Sequence, residues 1–163
     1  MSKFIKAALA SSVLVASVVG ANAAEAATAS ADARANILQQ VTVDSNDVDL
    51  NFGTIITGAT ASTVSVSTGG VGSCGTGLVC SGTTTAAGFT INGTSGATVD
   101  ISVDPSVTLT GPSGTMTAAL TSSDSTLVLD GTDSFAVGGT LSVAANQADG
   151  AYSGTFSVSV DYQ

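Results

Sequence analysis

The stretch Gly150-Ala-Tyr-Ser-Gly-Thr-Phe-Ser-Val-Ser-Val-Asp-Tyr-Gln163 decides the fold class of this chain. From Phe156 its apolar side chains occupy every second position, and small or polar side chains fill the positions between them. Successive residues of a β-strand point to opposite faces, so the alternation predicts a strand with one buried face: Phe156, Val158, Val160 and Tyr162. Because terminal segments fray unless they are tied down, we expect another strand edge to hold this one.

Short alternating segments recur along the rest of the chain, about 8–12 residues apart and separated by Gly, Asn and Asp. The predicted strands are 40–44, 48–52, 53–56, 61–67, 89–91, 97–103, 107–110, 116–121, 126–129, 134–137 and 140–144. Asn92-Gly93 predicts a tight hairpin turn after the fifth of them. This spacing predicts an all-β sandwich or barrel, and five Phe, two Tyr and no Trp predict a mostly aliphatic core.

The first 23 residues have the pattern of a secretory signal peptide. Lys3 and Lys6 precede the apolar run Ala7–Val19, and Ala21-Asn22-Ala23 has the small-x-small pattern of a cleavage site. The run is shorter than the roughly 20 residues that a membrane-spanning helix needs, and a buried helix is the alternative interpretation. We predict cleavage after Ala23, with Ala26 as the competing site.

Three regions follow from this interpretation. Residues 1–23 are the signal peptide, residues 24–37 an N-terminal extension, and residues 38–163 a single β-sandwich domain. In the extension, apolar residues occupy every odd position of Ala27–Ile37, and polar residues occupy the even ones. Period two predicts an extended strand with a thin apolar face that lies in a groove. The residues of that face are Ala27, Ala29, Ala31, Ala33, Ala35 and Ile37.

Charge and composition exclude several function classes. Signal cleavage leaves one cation, Arg34, and twelve carboxylates, hence a net charge of −11. Nucleic acids and anionic lipid surfaces are bound through Lys and Arg, so neither is expected as a partner. The chain has no His, and its lysines lie in the signal peptide, so a Ser or Thr nucleophile lacks its usual base. We therefore expect neither enzymatic activity nor a cofactor. Since no second long apolar run follows the signal peptide, we expect no membrane segment after cleavage.

Cys74 and Cys80 are the only cysteines. Export places them where disulfides persist, and five intervening residues with two glycines allow the short loop to close. We predict a local disulfide that pins the glycine-rich segment Thr68–Gly88.

One acidic cluster supplies oxygen ligands of the kind that Ca²⁺ prefers. Its members are Asp44, Asn46, Asp47 and Asp49. The spacing differs from that of an EF-hand loop, and a plain turn between two strands is the favoured interpretation. The cluster is therefore a weak calcium candidate, and no metal is predicted.

The C-terminal pattern resembles that of chaperone–usher pilins. In those subunits the last strand alternates, ends in a penultimate Tyr and follows a Gly fourteen positions from the end, as Tyr162 and Gly150 do here. The motifs Val48–Ile55 and Leu141–Tyr162 also resemble the bacterial exported domain-of-unknown-function 4402 family, which is similar to pilins of the alternative and archaic branches. The resemblance implies an incomplete immunoglobulin-like sandwich that is completed by β-strand addition.

The resemblance also implies partners and a location. A periplasmic chaperone and an outer-membrane usher would handle the subunit, which would self-associate into a surface fibre of a Gram-negative bacterium and contribute to adhesion or biofilm. In this hypothesis Ala27–Ile37 donates a strand to a neighbour, and Gly150 with the Phe156–Tyr162 face forms the acceptor groove. The alternative is a monomeric secreted or surface β-sandwich that binds an unknown ligand. Its C-terminal hairpin, Leu141–Tyr162, would close the sheet.

Overall fold

The computed structural model describes residues 27–163, so the predicted signal peptide lies outside the described residues. The chain divides into two units, residues 1–35 and 36–163. In the first unit, Ala27–Ala35 are exposed and belong to no strand. In the second unit, the described residues form twelve strands and no helix. The predicted all-β fold is confirmed.

Ten of the twelve strands have three to six residues, and Gly, Pro, Asn or Asp occurs in the connections between them. They are β1 Thr42–Ser45, β2 Thr54–Ile56, β3 Ser62–Val66, β4 Gly72–Cys74, β5 Val79–Ser81, β6 Ala87–Asn92, β7 Thr98–Val103, β8 Ser106–Gly111, β9 Gly114–Ser122, β10 Thr126–Val128, β11 Thr132–Val143 and β12 Val158–Tyr162.

The larger sheet has seven antiparallel strands organised around β11. One edge of β11 pairs first with β6 and then with β3, while its other edge pairs with β9, which in turn pairs with β8. β1 lies outside β6, and β4 lies outside β3. Because β11 is twelve residues long, it spans both halves of the sheet and joins them.

Gly138 and Gly139 lie where β11 changes neighbours. A break between two strands was predicted here, at 134–137 and 140–144, and this prediction is wrong. A Cβ at Gly138 would overlap the main-chain oxygen of Val66, and one at Gly139 would lie 2.9 Å from the Ala119 oxygen. The glycines therefore allow close approach of neighbouring main chains within one continuous strand.

A second sheet contains three antiparallel strands in the order β10-β7-β12. It faces the β6 and β11 half of the larger sheet across a cluster of buried side chains. That cluster consists of Ala87, Ile91, Val99, Ile101, Leu129, Phe135, Val137 and Val160. The two sheets therefore form a sandwich with its first core between them.

A second core lies under the other half of the larger sheet. It consists of Phe52, Val64, Val66, Val107, Ala118, Leu141 and Val143. Two of the fifteen buried hydrophobic residues, Phe52 and Phe135, are aromatic, which confirms the predicted aliphatic core. A separate two-stranded ribbon, β2 with β5, packs on this core through Ile55 and Cys80.

Two further predictions about strands are wrong. Residues 48–52 form no strand; only Asn51 makes a bridge, to Thr85, and Phe52 turns its ring into the core. Asn92-Gly93 is not a hairpin turn, since it lies on the crossing from β6 in the larger sheet to β7 in the smaller one. Both errors have the same origin, because a segment that crosses between sheets can have the local signals of a strand or a turn.

The hypothesis of a closing hairpin at Leu141–Tyr162 is also wrong. β11 and β12 belong to different sheets, and β12 pairs with β7 instead. The fourteen residues between them run across the end of the sandwich, and within this connection Ser153 forms an isolated bridge to Thr110 of β8.

Candidate functional site

The C-terminal strand has one paired edge and one open edge. β12 runs antiparallel to β7, with Val158 opposite Val103 and Tyr162 opposite Val99. The Asp104 N–H donates to the Ser157 carbonyl (3.1 Å), and the Gln163 N–H donates to a β7 carbonyl (3.1 Å). Within residues 27–163, no strand pairs with the other edge of β12.

The hydrogen bonds to β7 define which main-chain groups face that open edge. Adjacent residues of a strand direct their N–H and C=O groups to opposite edges. Since Ser157 and Gln163 bond toward β7, so do Ser159 and Asp161. The groups of the even-numbered residues, Val158, Val160 and Tyr162, therefore face the open edge.

The side chains of the same even-numbered residues pack on the first core. Val160 is buried, while Phe156, Val158 and Tyr162 are half-buried and contact the cluster from its margin. Phe156 precedes the strand and packs edge-to-face on Phe89, with ring centroids 6.1 Å apart. The four predicted residues thus share one apolar face, which leaves part of each half-buried ring or methyl group accessible.

β1 is the edge strand of the larger sheet on this side of the molecule, and it contacts β12. β1 pairs with β6 through one edge, and within the described part of the chain its other edge has no strand partner. Val41 and Val43 are half-buried against the first core. The two sheets therefore meet at a seam between two unpaired strand edges.

A cavity of about 660 Å³ with an apolar floor and partly polar walls lies between residues 50–57 and 147–152. Its floor is formed by four side chains of the seven-stranded sheet: Leu109, Met116, Leu141 and Val143. β2 forms part of one wall; it pairs with β5 through one edge, and no other strand of residues 27–163 pairs with it. The opposite wall leads into β12.

Hydrogen bonds close the far end of the cavity. The Asn146 N–H donates to the Gly58 carbonyl (2.9 Å), and the Thr57 hydroxyl donates to the Gln147 carbonyl (3.4 Å). They tie the end of the β2 segment to the start of the opposite wall. The cavity therefore has a fixed end here.

Tyr152 shapes the wall at residues 147–152. Its hydroxyl donates to the Ala148 carbonyl (2.9 Å) and accepts from the Gln147 side-chain amide (2.9 Å). Its ring covers Gly111, where a Cβ would lie 2.6 Å from the ring. Gly150 has a φ of +142° and would place a Cβ 2.8 Å from Pro112, so a glycine is required there. The structure thus places Gly150 in the cavity wall and outside β12.

Tyr162 occupies the opposite end of the C-terminal segment. The Thr94 N–H donates to its hydroxyl (2.8 Å), and the hydroxyl donates to the Gln39 carbonyl (2.8 Å). The Gln39 N–H donates to the Thr94 hydroxyl (2.7 Å), which completes a small ring of bonds. A Cβ at Gly93 would lie 2.7 Å from the Tyr162 hydroxyl, so this glycine makes room for the phenol.

Residues 27–37, the described part of the N-terminal extension, form no strand in the structure. Ala27–Ala35 are fully on the surface, and the only ion pair among the described residues joins Arg34 and Asp32 at 3.3 Å. Ile37, in the second unit, is 89% exposed. The predicted strand would need a partner edge, and the prediction that Ala27–Ile37 donates to a neighbour concerns a second chain, so it stays a prediction.

The acidic cluster does not form a metal site among the described residues, where no three carboxylate, His or Cys side chains come together. Asn46 accepts a hydrogen bond from the Thr90 hydroxyl, and the Asp49 carbonyl accepts one from Thr85 (2.7 Å). Asp44 lies in β1 opposite Thr90, and Asp47, after the strand, adopts a positive φ of 56°. The cluster forms the connection after β1, and calcium is not proposed.

The disulfide is present between Cys74 and Cys80, with Cα atoms 5.9 Å apart. Cys74 ends β4, the edge strand of the larger sheet, and Cys80 lies in β5 of the ribbon. The bond therefore ties the ribbon, and with it one wall of the cavity, to the larger sheet.

The cavity is the feature that sequence reasoning missed. Its walls come from residues 50–57 and 147–152, and its floor from three different strands. The two stretches had been singled out as family motifs, Val48–Ile55 and Leu141–Tyr162, but no periodicity shows that they face one another. The one signal in the sequence was that both stretches lie in family motifs, which would have indicated the site if the two motifs had been assumed to lie side by side.

These features define a disulfide-tied, all-β sandwich with an open-edged C-terminal strand. The chain belongs to the family described as a domain of unknown function, DUF4402, whose model matches residues 40–162. The match begins just after Gln39 and ends at Tyr162, so it includes both walls of the cavity and the open strand edge. A comparison with the curated proteins finds no match. Within residues 27–163 there is no helix of the length and apolarity that crossing a membrane requires.

Proposed function

We propose that this protein is a structural subunit of a bacterial surface fibre that assembles by β-strand addition. It would be exported through the periplasm of a Gram-negative bacterium, and the fibre would contribute to adhesion or biofilm. The observation that carries the proposal is the unpaired edge of β12, whose alternate side chains form an apolar face on the first core. The cavity of about 660 Å³ is lined by residues that precede this strand in the chain.

The acceptor side of the proposal rests on the two kinds of contact that an added strand needs. Three residues of β12 offer unpaired N–H and C=O groups, which would bond to an incoming main chain. The half-buried side chains of β12 and the cavity floor offer apolar surface to alternate side chains of that strand. An unpaired edge is a liability in a sandwich, and a partner strand would cover this one.

The donor side rests on the extension. Ala27–Ala35 are exposed, and their apolar residues alternate with polar ones, as required of a strand with one buried face. Alanine side chains bury little surface, so main-chain hydrogen bonds would supply most of the affinity. Ile37 offers the one large aliphatic side chain of the set. A periplasmic chaperone would cover the β12 edge before assembly.

Charge placed on either face of the extension tests the proposal in the full chain. The variant Ala31→Asp/Ala33→Asp puts two carboxylates on the face that would enter the groove. Denaturant-resistant polymers, resolved by size exclusion and by gel electrophoresis without heating, should be lost. The matched control, Thr28→Asp/Ser30→Asp, adds the same charge to the opposite face and should still polymerise.

The thermal unfolding midpoint of the domain should be the same in both variants, because all four positions are exposed. Equal polymerisation of both variants and the wild type, or normal polymers after deletion of residues 24–36, would refute donation by the extension.

The cavity also favours a second candidate function, a monomeric surface or secreted module that binds a small ligand. Its volume lies within the range of about 300–1,000 Å³ that ligand pockets occupy, and Tyr152 and Gln147 add polar groups to an apolar lining. The same chromatography separates the two functions. A sharp, stable monomer at high concentration favours the module, and a ladder of polymers favours the fibre subunit.

A further inference from the structure

Tyr162 was predicted to line the acceptor groove, but its hydroxyl makes a different set of contacts. It accepts from the Thr94 N–H and donates to the Gln39 carbonyl, both at 2.8 Å. The Gln39 N–H is also bonded, to the Thr94 hydroxyl at 2.7 Å. Both main-chain groups of Gln39 are therefore fixed, and two of the three bonds run through the Tyr162 hydroxyl.

Gln39 is the first residue at which the N-terminal segment is bonded to the domain. Among the described residues that precede β1, the hydrogen bonds to the domain are those of Gln39. Leu38 is 41% exposed, and Ile37 is 89% exposed only two residues from this anchor. The next fixed point is Thr42, which pairs with Asn92. Without the anchor, Gln39 would have no hydrogen bond to the domain, and the first contact along the chain would be that of Val41 with the first core.

The position of the anchor along the C-terminal segment separates it from the cavity. Ser153, next to the cavity wall, bridges to β8, whereas Tyr162 is nine residues further along the chain, at the end of β12. At about 3.3 Å per extended residue the two points are at most roughly 30 Å apart. The extension therefore begins at the end of the β12 edge that is remote from the cavity.

We infer that Tyr162 is a positioning residue for the donated strand: its hydroxyl holds Gln39, the point at which the N-terminal extension joins the domain. The extension then leaves the domain at a defined point, and the cavity at the other end stays free for the next subunit. Because the extension starts at one end of the subunit and the acceptor lies at the other, the contact is heterologous, the kind of contact from which an open, polar fibre can be built. This inference rests on the proposed function and assigns Tyr162 to the donor side of each contact.

Gly93 makes the contact of the Tyr162 hydroxyl with Thr94 possible. A Cβ there would lie 2.7 Å from the Tyr162 hydroxyl and 2.6 Å from Leu129, so an alanine would displace the phenol. The Asn92-Gly93-Thr94 stretch, which is not a turn, thus serves to receive the hydroxyl. The connection from β6 to β7 thus supplies the space for the hydroxyl at Gly93 and two hydrogen-bonding groups at Thr94.

Mixing full-length chains tests which side of the contact Tyr162 serves. An acceptor-only chain carries Ala31→Pro/Ala33→Pro and a fluorescent label, since proline removes main-chain donors from the extension. In the first arm this acceptor is mixed with a Tyr162→Phe donor. In the second arm Tyr162→Phe is placed in the labelled acceptor, and the donor is wild type. Incorporation of label into polymers is compared with that of the unaltered pair, in which the labelled acceptor-only chain and the donor both keep Tyr162.

We expect incorporation to fall at least threefold in the first arm and to change less than twofold in the second. The inference is overturned if incorporation falls only in the second arm. It is also overturned if incorporation falls equally in both arms or in neither. The variant Thr94→Val, which removes the acceptor for the Gln39 N–H, should reproduce the first result. Hydrogen exchange of the Gln39 amide should quicken about three- to tenfold in Thr94→Val, which removes the bond that this amide makes. It should also quicken in Tyr162→Phe, which removes the other two bonds of the network.

Failure of the proposed function gives a different result. If the unaltered pair incorporates no label, strand donation itself is refuted, and the positioning role falls with it. If the unaltered pair assembles and Tyr162→Phe has no effect as donor, only the positioning role is wrong.

Discussion

Two segments of this chain share the same alternating pattern, but only one of them forms a strand of the domain. Val158–Tyr162 forms β12 and packs on the first core, whereas Ala27–Ala35 are exposed and belong to no strand. The difference lies in the size of the alternating side chains. Each Val exceeds Ala by two carbons, worth about 1.6 kcal/mol when fully buried. Alternation indicates an extended backbone, but side-chain size determines whether the domain itself can hold the strand.

The largest effect on stability should come from placing a charge on the buried face of β12. Val160 is 8% exposed within the first core, and Val160→Asp would bury an unpaired carboxylate there. We expect a loss of at least about 3 kcal/mol in the free energy of unfolding, measured by urea denaturation. Ser159→Asp places the same group on the exposed face of β12 and should cost less than about 1 kcal/mol. Similar losses in both variants would contradict the assigned faces.

A smaller effect should come from loosening the cavity wall while leaving β12 intact. Replacing both cysteines by Ser removes the disulfide, whose cysteines are six positions apart, and should lower the free energy of unfolding by about 2–3 kcal/mol. Because the bond ties β5 to β4, hydrogen exchange should quicken in the β2–β5 ribbon and stay unchanged in β12. Ser73→Ala/Ser81→Ala, next to the same cysteines, serves as the control. Faster exchange throughout the domain would show that the ribbon is not a separate element.

The smallest effect on folding should come from enlarging the thin face of the extension. Replacing Ala29, Ala31, Ala33 and Ala35 by Val should leave the unfolding midpoint of the domain unchanged, because Ala27–Ala35 are exposed. The same change should raise the denaturant concentration at which polymers dissociate, since a buried Val stabilises the contact more than Ala. Val at the even positions 28 and 30 should not raise it. Weaker polymers in the odd-position variant would contradict the assigned donor face.

The strands that sequence reasoning located are those with their own alternating core face. Thr98–Val103 and Gly114–Ser122 were found nearly in full, and so was the disulfide between Cys74 and Cys80. The short strands β4 and β5 were missed, since three residues on either side of the disulfide are too few to show a period. Gly138-Gly139 was misread because a glycine that admits a neighbouring main chain resembles one that ends a strand.

The candidate site was only half predictable. The apolar face of β12 follows from the sequence, because it depends on residues that are close together along the chain. The cavity and the Tyr162 network depend on contacts over long sequence separations, such as Gln147 with Thr57 and Tyr162 with Gln39. No local pattern encodes these contacts, since they follow from how the two sheets are connected.

The most direct measurement of the central claim is hydrogen exchange at single amides of β12, before and after polymerisation. In the monomer, the N–H groups of Val158, Val160 and Tyr162 face the open edge and should exchange quickly, while those of Ser159 and Asp161 bond to β7 and should exchange slowly. In the polymer all five should be slow, because an added strand bonds to the open edge. Fast exchange at the three even-numbered positions in intact polymers would contradict strand addition at β12.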